Sequence, residues 1–326
     1  MMDGIDRKPE AHPGNLMQAL STRKESVVHL THNDLDAVGS DAIHRRALGD
    51  DVFTVWSSVG RFLSLLDAVA ASPGRGDLLS ISDIGYQDGV EQRLARARSN
   101  GWRIEWRDHH RWTKDEIRTV DKRTDILHID VATCATGIVA RDLAPGDPVA
   151  EEIARVVCDY DLWKHLDPRS KMLGQVVMRK GLRDYVRDNF VRGIILDERI
   201  ENEYAEILRE MEHDIRRSIR HATVIQGGRY RIVFAPLYGY PSETAHAIRQ
   251  ELGSDIEVIV SSNGRISIRS VPPISHLVAR QFSGGGHPHA AGGTFTFSLL
   301  DRFLFWLIKR NRHYRDLAAV AESIEE

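Results

Sequence analysis

Cysteine is nearly absent from this sequence. Cys134 and Cys158 are the two in 326 residues. They form no CxxC pair and no disulfide framework, which predicts a reducing compartment. No apolar run reaches the ~18 residues that a spanning helix needs, so no membrane partner is expected. The opening segment, MMDGIDRKPEAHPGNL, lacks an apolar stretch of signal-peptide length, and the expected location is the cytoplasm. Long blocks of like charge are missing as well, and the formal net charge is −3. A long nucleic-acid duplex is therefore not an expected partner, because binding one requires a basic surface. A small anionic ligand stays compatible, since a pocket can be basic inside a mildly acidic protein. GxxxxGK[ST], HExxH and GxSxG are all absent, which removes the P-loop, zincin and nucleophile-elbow readings.

What is present is a soluble globular pattern. Hydrophobic residues make up 42% and charged residues 28%, enough to bury a large core. The length predicts two domains. Residues 1–23, polar with Pro and Gly, read as a loose arm. Short apolar runs then alternate with helical periods. SVVHL (26–30), DVFTVW (51–56), DLLSIS (77–82), WRIEW (102–106) and DILHID (125–130) read as strands. Helices are expected over 36–48, 61–71 and 87–99. This alternation indicates βαβ units and a parallel sheet. A helical region comes next, from about 148 to 190, then one long charged helix over 197–221. A second α/β rhythm begins at YRIVFAP (230–236) and continues through IEVIVSS (256–262), RISIRS (265–270) and TFTFS (294–298), with a final helix at LLDRFLFWLIKR. The expected fold is α/β, a parallel-sheet domain over 24–195, a helical linker over 196–222 and a smaller α/β domain over 223–326.

In an open parallel sheet, ligands bind beyond the carboxyl ends of the strands. The first strand runs into Thr31-His32-Asn33-Asp34-Leu35-Asp36, the third into Ser82-Asp83, and the fourth into Asp108-His109-His110. The later helical region carries Cys158-Asp159-Tyr160-Asp161. In an extended segment, His32, Asp34 and Asp36 point the same way. Oxygen and imidazole donors suit Mn, Mg, Co or Fe better than a thiolate-type zinc site. Asp34, Asp36, Asp83 and Asp159 together carry four negative charges, which two divalent cations would balance. Against this stands a plainer reading. An Asp just after a strand often caps the next helix, and Asp36 or Asp83 taken singly could do only that. Three strand ends with matching chemistry in one sheet favour the metal site.

"HNDLDAVGS" (32–40), "SISDIG" (80–85), "RDHH" (107–110) and "CDYDLW" (158–163) resemble, in order, the four motifs of the DHH phosphoesterase superfamily. "FSGGGHPHAAGG" (282–293) resembles the glycine-rich signature of its companion DHHA1 domain, and RISIRS resembles the strand placed beside it. The resemblance covers about residues 25–300. It implies a two-domain enzyme with two divalent ions, typically Mn2+, with Mg2+ or Co2+ as alternatives. His32 and Asp34 resemble ligands of one ion, and Asp36, His109 and Asp159 ligands of the other. Asp83 resembles the carboxylate between them. His110 resembles the residue that faces the scissile phosphate, with Asp108 orienting the histidines. Asp161 also fits the fourth motif, and Asp159 is preferred. Many members place the motif I histidine four residues before the first Asp, where this chain has Leu30; here His32 lies two before. Ala37 stands where a glycine or another small residue often comes after the second Asp.

The implied activity is two-metal hydrolysis of phosphodiester or phosphomonoester bonds in short nucleotides: nanoRNA dinucleotides, 3′-phosphoadenosine 5′-phosphate, or a linear or cyclic dinucleotide. The tract Gly284, Gly285, Gly286 and His287 would turn backbone amides toward the far end of the substrate. Arg265 and Arg269 would add contacts to phosphate. A RecJ-like single-strand exonuclease and a non-catalytic nucleotide sensor are the rival readings. A complete set of metal motifs speaks against the sensor. A homodimer is compatible with the sequence, which does not specify the oligomeric state.

Overall fold

The computed structural model describes residues 13–324. The chain divides into two compact units, Met1–Ala205 and Glu206–Glu326. In chain order the first holds α1 (Pro13–Thr22), β1 (Val27–Thr31), α2 (Leu35–Leu48), β2 (Val52–Trp56), α3 (Phe62–Ala71), β3 (Leu78–Ser82), α4 (Val90–Ser99), β4 (Arg103–Asp108), α5 (Lys114–Asp121) and β5 (Ile126–Ile129). It continues with α6 (Ala135–Leu143), α7 (Pro148–Asp161), α8 (Pro168–Val176), α9 (Leu182–Val191) and the start of α10 (Glu198–Arg220). The five strands are parallel, in the order β2-β1-β3-β4-β5. Every residue of β1 and β3 is buried, as expected of strands covered by helices on both faces. Leu30, Ile81, Phe62 and Trp106 belong to the core this creates. The strand order reverses between β1 and β3, and the crevice at such a reversal is where open α/β sheets bind ligands.

The second unit carries the rest of α10, then β6 (Thr223–Gln226), β7 (Arg231–Pro236), α11 (Pro241–Leu252), β8 (Ile256–Val260), β9 (Arg265–Ser270), α12 (Ser275–Arg280), β10 (Gly285–His287), β11 (Ala290–Thr294), α13 (Leu299–Ile308) and α14 (His313–Ser323). Its strand order is β10-β11-β9-β8-β7-β6. One pair, β7 with β8, is parallel and the others are antiparallel. Phe234, Ile268, Val278 and Leu317 lie in one core cluster.

Several expectations change. The arm expected over residues 1–23 contains α1, whose Leu16 and Leu20 are buried in the first core; the described part of it is anchored by apolar burial, and residues 1–12 lie outside the described chain. Cys134 and Cys158 form a disulfide. Cys134 stands at the N-cap of α6 and Cys158 lies in α7, so the packing of these two helices pairs residues whose spacing gave no sign of it. Helix α5 is not among the expected elements, yet Thr113 at its N-cap and Glu116 in its first turn form a capping box, a pattern readable in the sequence. The strand expected at TFTFS ends at Thr294; Phe295 and Phe297 leave the sheet for the core. Residues Gly285–His287 of the glycine-rich tract form the edge strand β10. Among the described residues no helix is long and apolar enough to cross a membrane.

Candidate metal centre

The chain leaves β1 through His32 and turns into α2 at Asp34. One carboxylate oxygen of Asp34 accepts the Ala37 N–H at 3.1 Å and caps the helix. The other meets His32 Nδ1 at 2.7 Å. The capping role considered for Asp36 thus belongs to Asp34, and Asp36 sits in the first turn of α2, fully buried. Its carboxylate accepts the N–H groups of Ala135 and Thr136, at 2.8 and 2.7 Å, from the first turn of α6. A helix N-terminus is a favourable place for an anion. The Thr136 hydroxyl donates to the Asp36 carbonyl at 2.7 Å.

Asp83 comes directly after β3 in a left-handed conformation, φ 54°, which few residues other than glycine adopt. Ser82 is held from below. The Thr31 hydroxyl donates to the Ser82 carbonyl at 3.0 Å, and the Ser82 hydroxyl lies 2.8 Å from His29 Nε2. The other nitrogen of His29 is 2.7 Å from Asp41. Local strain of this kind concentrates at functional sites. The Asp83 carboxylate lies 3.8 Å from His32 Nδ1 on one side and 3.5 Å from His109 Nε2 on the other.

Strand β4 delivers the third set. Asp108 is buried and faces back into the protein, where one oxygen accepts the Trp112 indole N–H at 2.7 Å. The other lies 2.8 Å from His110 Nδ1, so Asp108 orients His110. His110 is half exposed, whereas His109 points inward to Asp36 at 3.7 Å and to Asp161 at 3.5 Å.

The ligand role expected of Asp159 does not fit its surroundings. Its two oxygens accept the N–H groups of Leu166 and Asp167, at 2.9 and 3.1 Å, and the Ser170 hydroxyl at 2.6 Å. Successive residues of a helix are turned by about 100°, so Asp159 and Asp161 cannot share a face. Asp161 is the one turned toward the histidines.

Three groups of ligand atoms result, each with its members within 4.8 Å of one another: His32, Asp34 and Asp83; Asp36, His109 and Asp161; and Asp83, His109 and His110. Asp83 belongs to two of them. One buried oxygen of Asp83 and one of Asp161 have no hydrogen-bond partner, a costly condition that a bound cation relieves. The titration of the cluster agrees. Burial, with the charges of Asp36 and Asp34, raises the Asp83 pKa. Burial and the Asp161 charge raise that of Asp36, and burial raises Asp161. Burial works to raise Asp34 too, but the hydrogen bond and charge of His32 outweigh it and hold the carboxyl at about 2. The hydrogen bond to Asp108 raises the His110 pKa. Carboxylates gathered this closely retain protons unless a cation sits among them. The donor set of carboxylates and imidazoles fits hard or borderline divalent ions.

In the second unit, a cavity of about 400 Å³ is lined by Ser242, His246, Arg249, Arg269 and His289, among others. Arg269 donates to the hydroxyls of Ser242 and Ser267 at 3.0 and 3.1 Å. His287 pairs with Ala290, which pairs with Arg269 across the next strand, so His287 and Arg269 stand on one face, about 10 Å apart. Arg265 starts the same strand as Arg269 and lies about 13 Å away along it; it does not line the cavity. The Gly284 N–H donates to the Ala279 carbonyl at 3.0 Å rather than facing a ligand. A Cβ at Gly284 would lie 1.9 Å from the Gly292 carbonyl oxygen, so this glycine is required by the close approach of β11. Gly285 and Gly286 lie in the edge strand, which leaves outward backbone groups unpaired by the sheet. His246 and Arg249 lie in no motif, whereas His289 lies inside the glycine-rich stretch 282–293, two residues past His287.

No family model matches the chain. It is 22% identical over 302 residues to the oligoribonuclease NrnB of Bacillus subtilis, with 84% of this chain and 74% of that protein covered. Its fold is similar to that of a pGpG-specific phosphodiesterase, PggH, from Vibrio cholerae, with TM-score 0.52, 12% identity and 87% of this chain and 98% of that one covered. It is also similar to an exonuclease RecJ bound to manganese, with TM-score 0.52, 17% identity and 95% of each chain covered. Three motifs at strand ends and one at the end of α7 converge near the switch point, the glycine-rich signature lies in the second sheet, and the chain is similar in sequence to an oligoribonuclease and in fold to a phosphodiesterase and an exonuclease, in keeping with the resemblance to the DHH/DHHA1 phosphoesterases.

Proposed function

We propose that this protein is a metal-dependent phosphoesterase that hydrolyses short nucleotides, such as nanoRNA dinucleotides, 3′-phosphoadenosine 5′-phosphate, or linear or cyclic dinucleotides. The observation that carries this reading is the position of Asp83 in two adjacent ligand groups with the half-exposed His110 beside them. His32, Asp34 and Asp83 would hold one divalent ion, and Asp83, Asp36, His109 and Asp161 the other, with Mn2+ as the expected metal. Two such ions supply positive charge to phosphoryl oxygens and acidify water. The protein's own part is orientation. Asp108 fixes the His110 ring with its Nδ1 engaged, which leaves Nε2 for a phosphoryl oxygen. Burial of Asp36 and Asp83 keeps competing water away from the carboxylates.

Arg269, His287 and the cavity beside Arg269 are read as the grip on the part of the substrate away from the scissile phosphate. The likeness to an oligoribonuclease and to the fold of a dinucleotide phosphodiesterase supports a short substrate. So does a chain of net charge −3, which offers no basic track for a long strand. The test is a panel of dinucleotides, longer RNA, 3′-phosphoadenosine 5′-phosphate, cyclic dinucleotides and pyrophosphate, assayed in Mn2+ with chelated protein as the control. Hydrolysis of the short nucleotides that vanishes on chelation and returns with Mn2+ is expected. Undiminished cleavage of 20-mers would favour the exonuclease reading, and nucleotide binding without hydrolysis would favour a sensor.

A further inference from the structure

Helix α13 turns most of its surface to solvent although most of its side chains are large and apolar. Leu299 is 85% exposed and Trp306 68% exposed, and Leu300, Phe303, Leu307 and Ile308 are each more than half exposed. At about 100° per residue these positions sweep one continuous arc of roughly 200°. The opposite side, with Asp301 and Phe305, is buried, and Phe305 belongs to the second core. Single exposed leucines are ordinary. A contiguous patch is not, once it passes the ~300–600 Å² found on typical monomers. Six or seven large side chains mostly in the open reach the order of ~800 Å² that each partner contributes to a standard interface.

We propose that this face of α13 is the contact through which two copies of the chain pair about a two-fold axis, the two helices running antiparallel. Such a contact is made by the same patch on both partners. The charges allow it. The centre of the arc carries none. Arg302 stands at its edge, and Lys309 and Arg310 come after the last turn. Antiparallel pairing sends the two Lys309-Arg310 ends to opposite ends of a ten-residue contact, about 15 Å apart, beyond the ~8–10 Å screening length of physiological salt. A parallel pairing would bring them together. A lipid surface is the poorer fit. A helix lying in a membrane interface carries its cations along the polar face opposite the apolar one; here that opposite face is Asp301 and Phe305, already buried in the domain.

The experiment is sedimentation velocity on the full chain across micromolar concentrations, with Leu300→Glu, Leu307→Glu and Leu307→Lys. These side chains are exposed in the single chain, so the variants should keep the wild-type unfolding midpoint and hydrolytic activity. Wild type is expected to dimerise. Either glutamate should weaken pairing roughly 100-fold or more, because it buries an unpaired charge. In an antiparallel contact centred on the helix, Leu300 faces Leu307 of the second copy. Mixing Leu300→Glu with Leu307→Lys should therefore restore a mixed dimer. A wild type that is monomeric throughout overturns the proposal, as does a dimer that survives both glutamates. A monomer whose binding to anionic vesicles or to single-stranded RNA is lost in these variants also overturns it, and gives the face to that partner.

Discussion

Asp159 and Asp161 leave the last turn of α7 in opposite directions. Asp161 comes within 3.5 Å of His109 Nδ1, while Asp159 is enclosed by Leu166, Asp167 and Ser170. One joins the candidate metal ligands Asp36 and His109, and the other fastens the turn beyond the helix. Asp161→Asn should therefore lower metal affinity and hydrolysis with little change in unfolding midpoint. Asp159→Ala should cost stability, because it strands buried donors at about 1–3 kcal/mol each. Metal titration and thermal unfolding of both variants check this. A loss of metal in Asp159→Ala at unchanged stability, with Asp161→Asn silent, would reverse the assignment.

Asp83 and His109 should differ in how much metal they retain. Asp83 joins both the His32–Asp34 group and the His109–His110 group. Asp83→Ala should bind close to no metal, and His109→Ala about one ion per chain. Elemental analysis after dialysis against limiting Mn2+ decides the matter. Two ions bound to Asp83→Ala would rule out the shared carboxylate.

Arg269 and Arg265 share a strand but should not share an effect. Arg269→Ala is expected to lower kcat/KM on dinucleotides by roughly 10- to 1000-fold, the loss of one charge-assisted contact worth about 1.5–4 kcal/mol. Arg265→Ala should change it little, because that side chain lies outside the cavity. A nitrophenyl phosphodiester, which has no distal nucleotide, should be hydrolysed nearly as well by Arg269→Ala as by wild type. Equal losses on both substrates would remove the distal grip.

Mild acid should destabilise the fold through a buried histidine. His44 is fully buried between the Ser40 carbonyl and the Ser80 hydroxyl, at 2.8 Å from each. Burial, with the neighbouring His29, holds its pKa well below the ordinary value. Below about pH 6.5 the unfolded chain takes up a proton there, whereas the folded chain does not. Stability is thus fully present above the unfolded pKa and falls as the pH drops below it, by up to about 1.4 kcal/mol per pH unit. Urea unfolding of wild type between about pH 7.5 and 5.5 should show the slope, and His44→Gln should flatten it. An unchanged slope in the variant would assign it to another group.

The strands that carry the site were legible because two-sided burial makes them short apolar runs. VVHLT and LLSIS are buried at every residue, and the first polar residues past the end of such a run must lie at the sheet's edge. That places His32, Asp34, Asp83 and His109 near a common edge from one-dimensional pattern alone. The arithmetic of side-chain periods went no further. Which of Asp159 and Asp161 faces the histidines depends on the rotation of α7, and that is decided by what the far face bonds, here Ser170 and the backbone beyond the helix. The amides of Ala135 and Thr136 reach Asp36 from about 100 residues away in the chain, and Cys134 finds Cys158 by the same packing. In the second unit, GGGH was legible as a motif but not as an edge strand, because glycine has little strand preference of its own; the close approach of β11 imposes the shape. The sequence by itself determined the order of elements and the chemistry placed at their ends. Tertiary packing decided which of those groups meet, because helix rotation and long-range hydrogen bonding are settled only when distant segments bury one another.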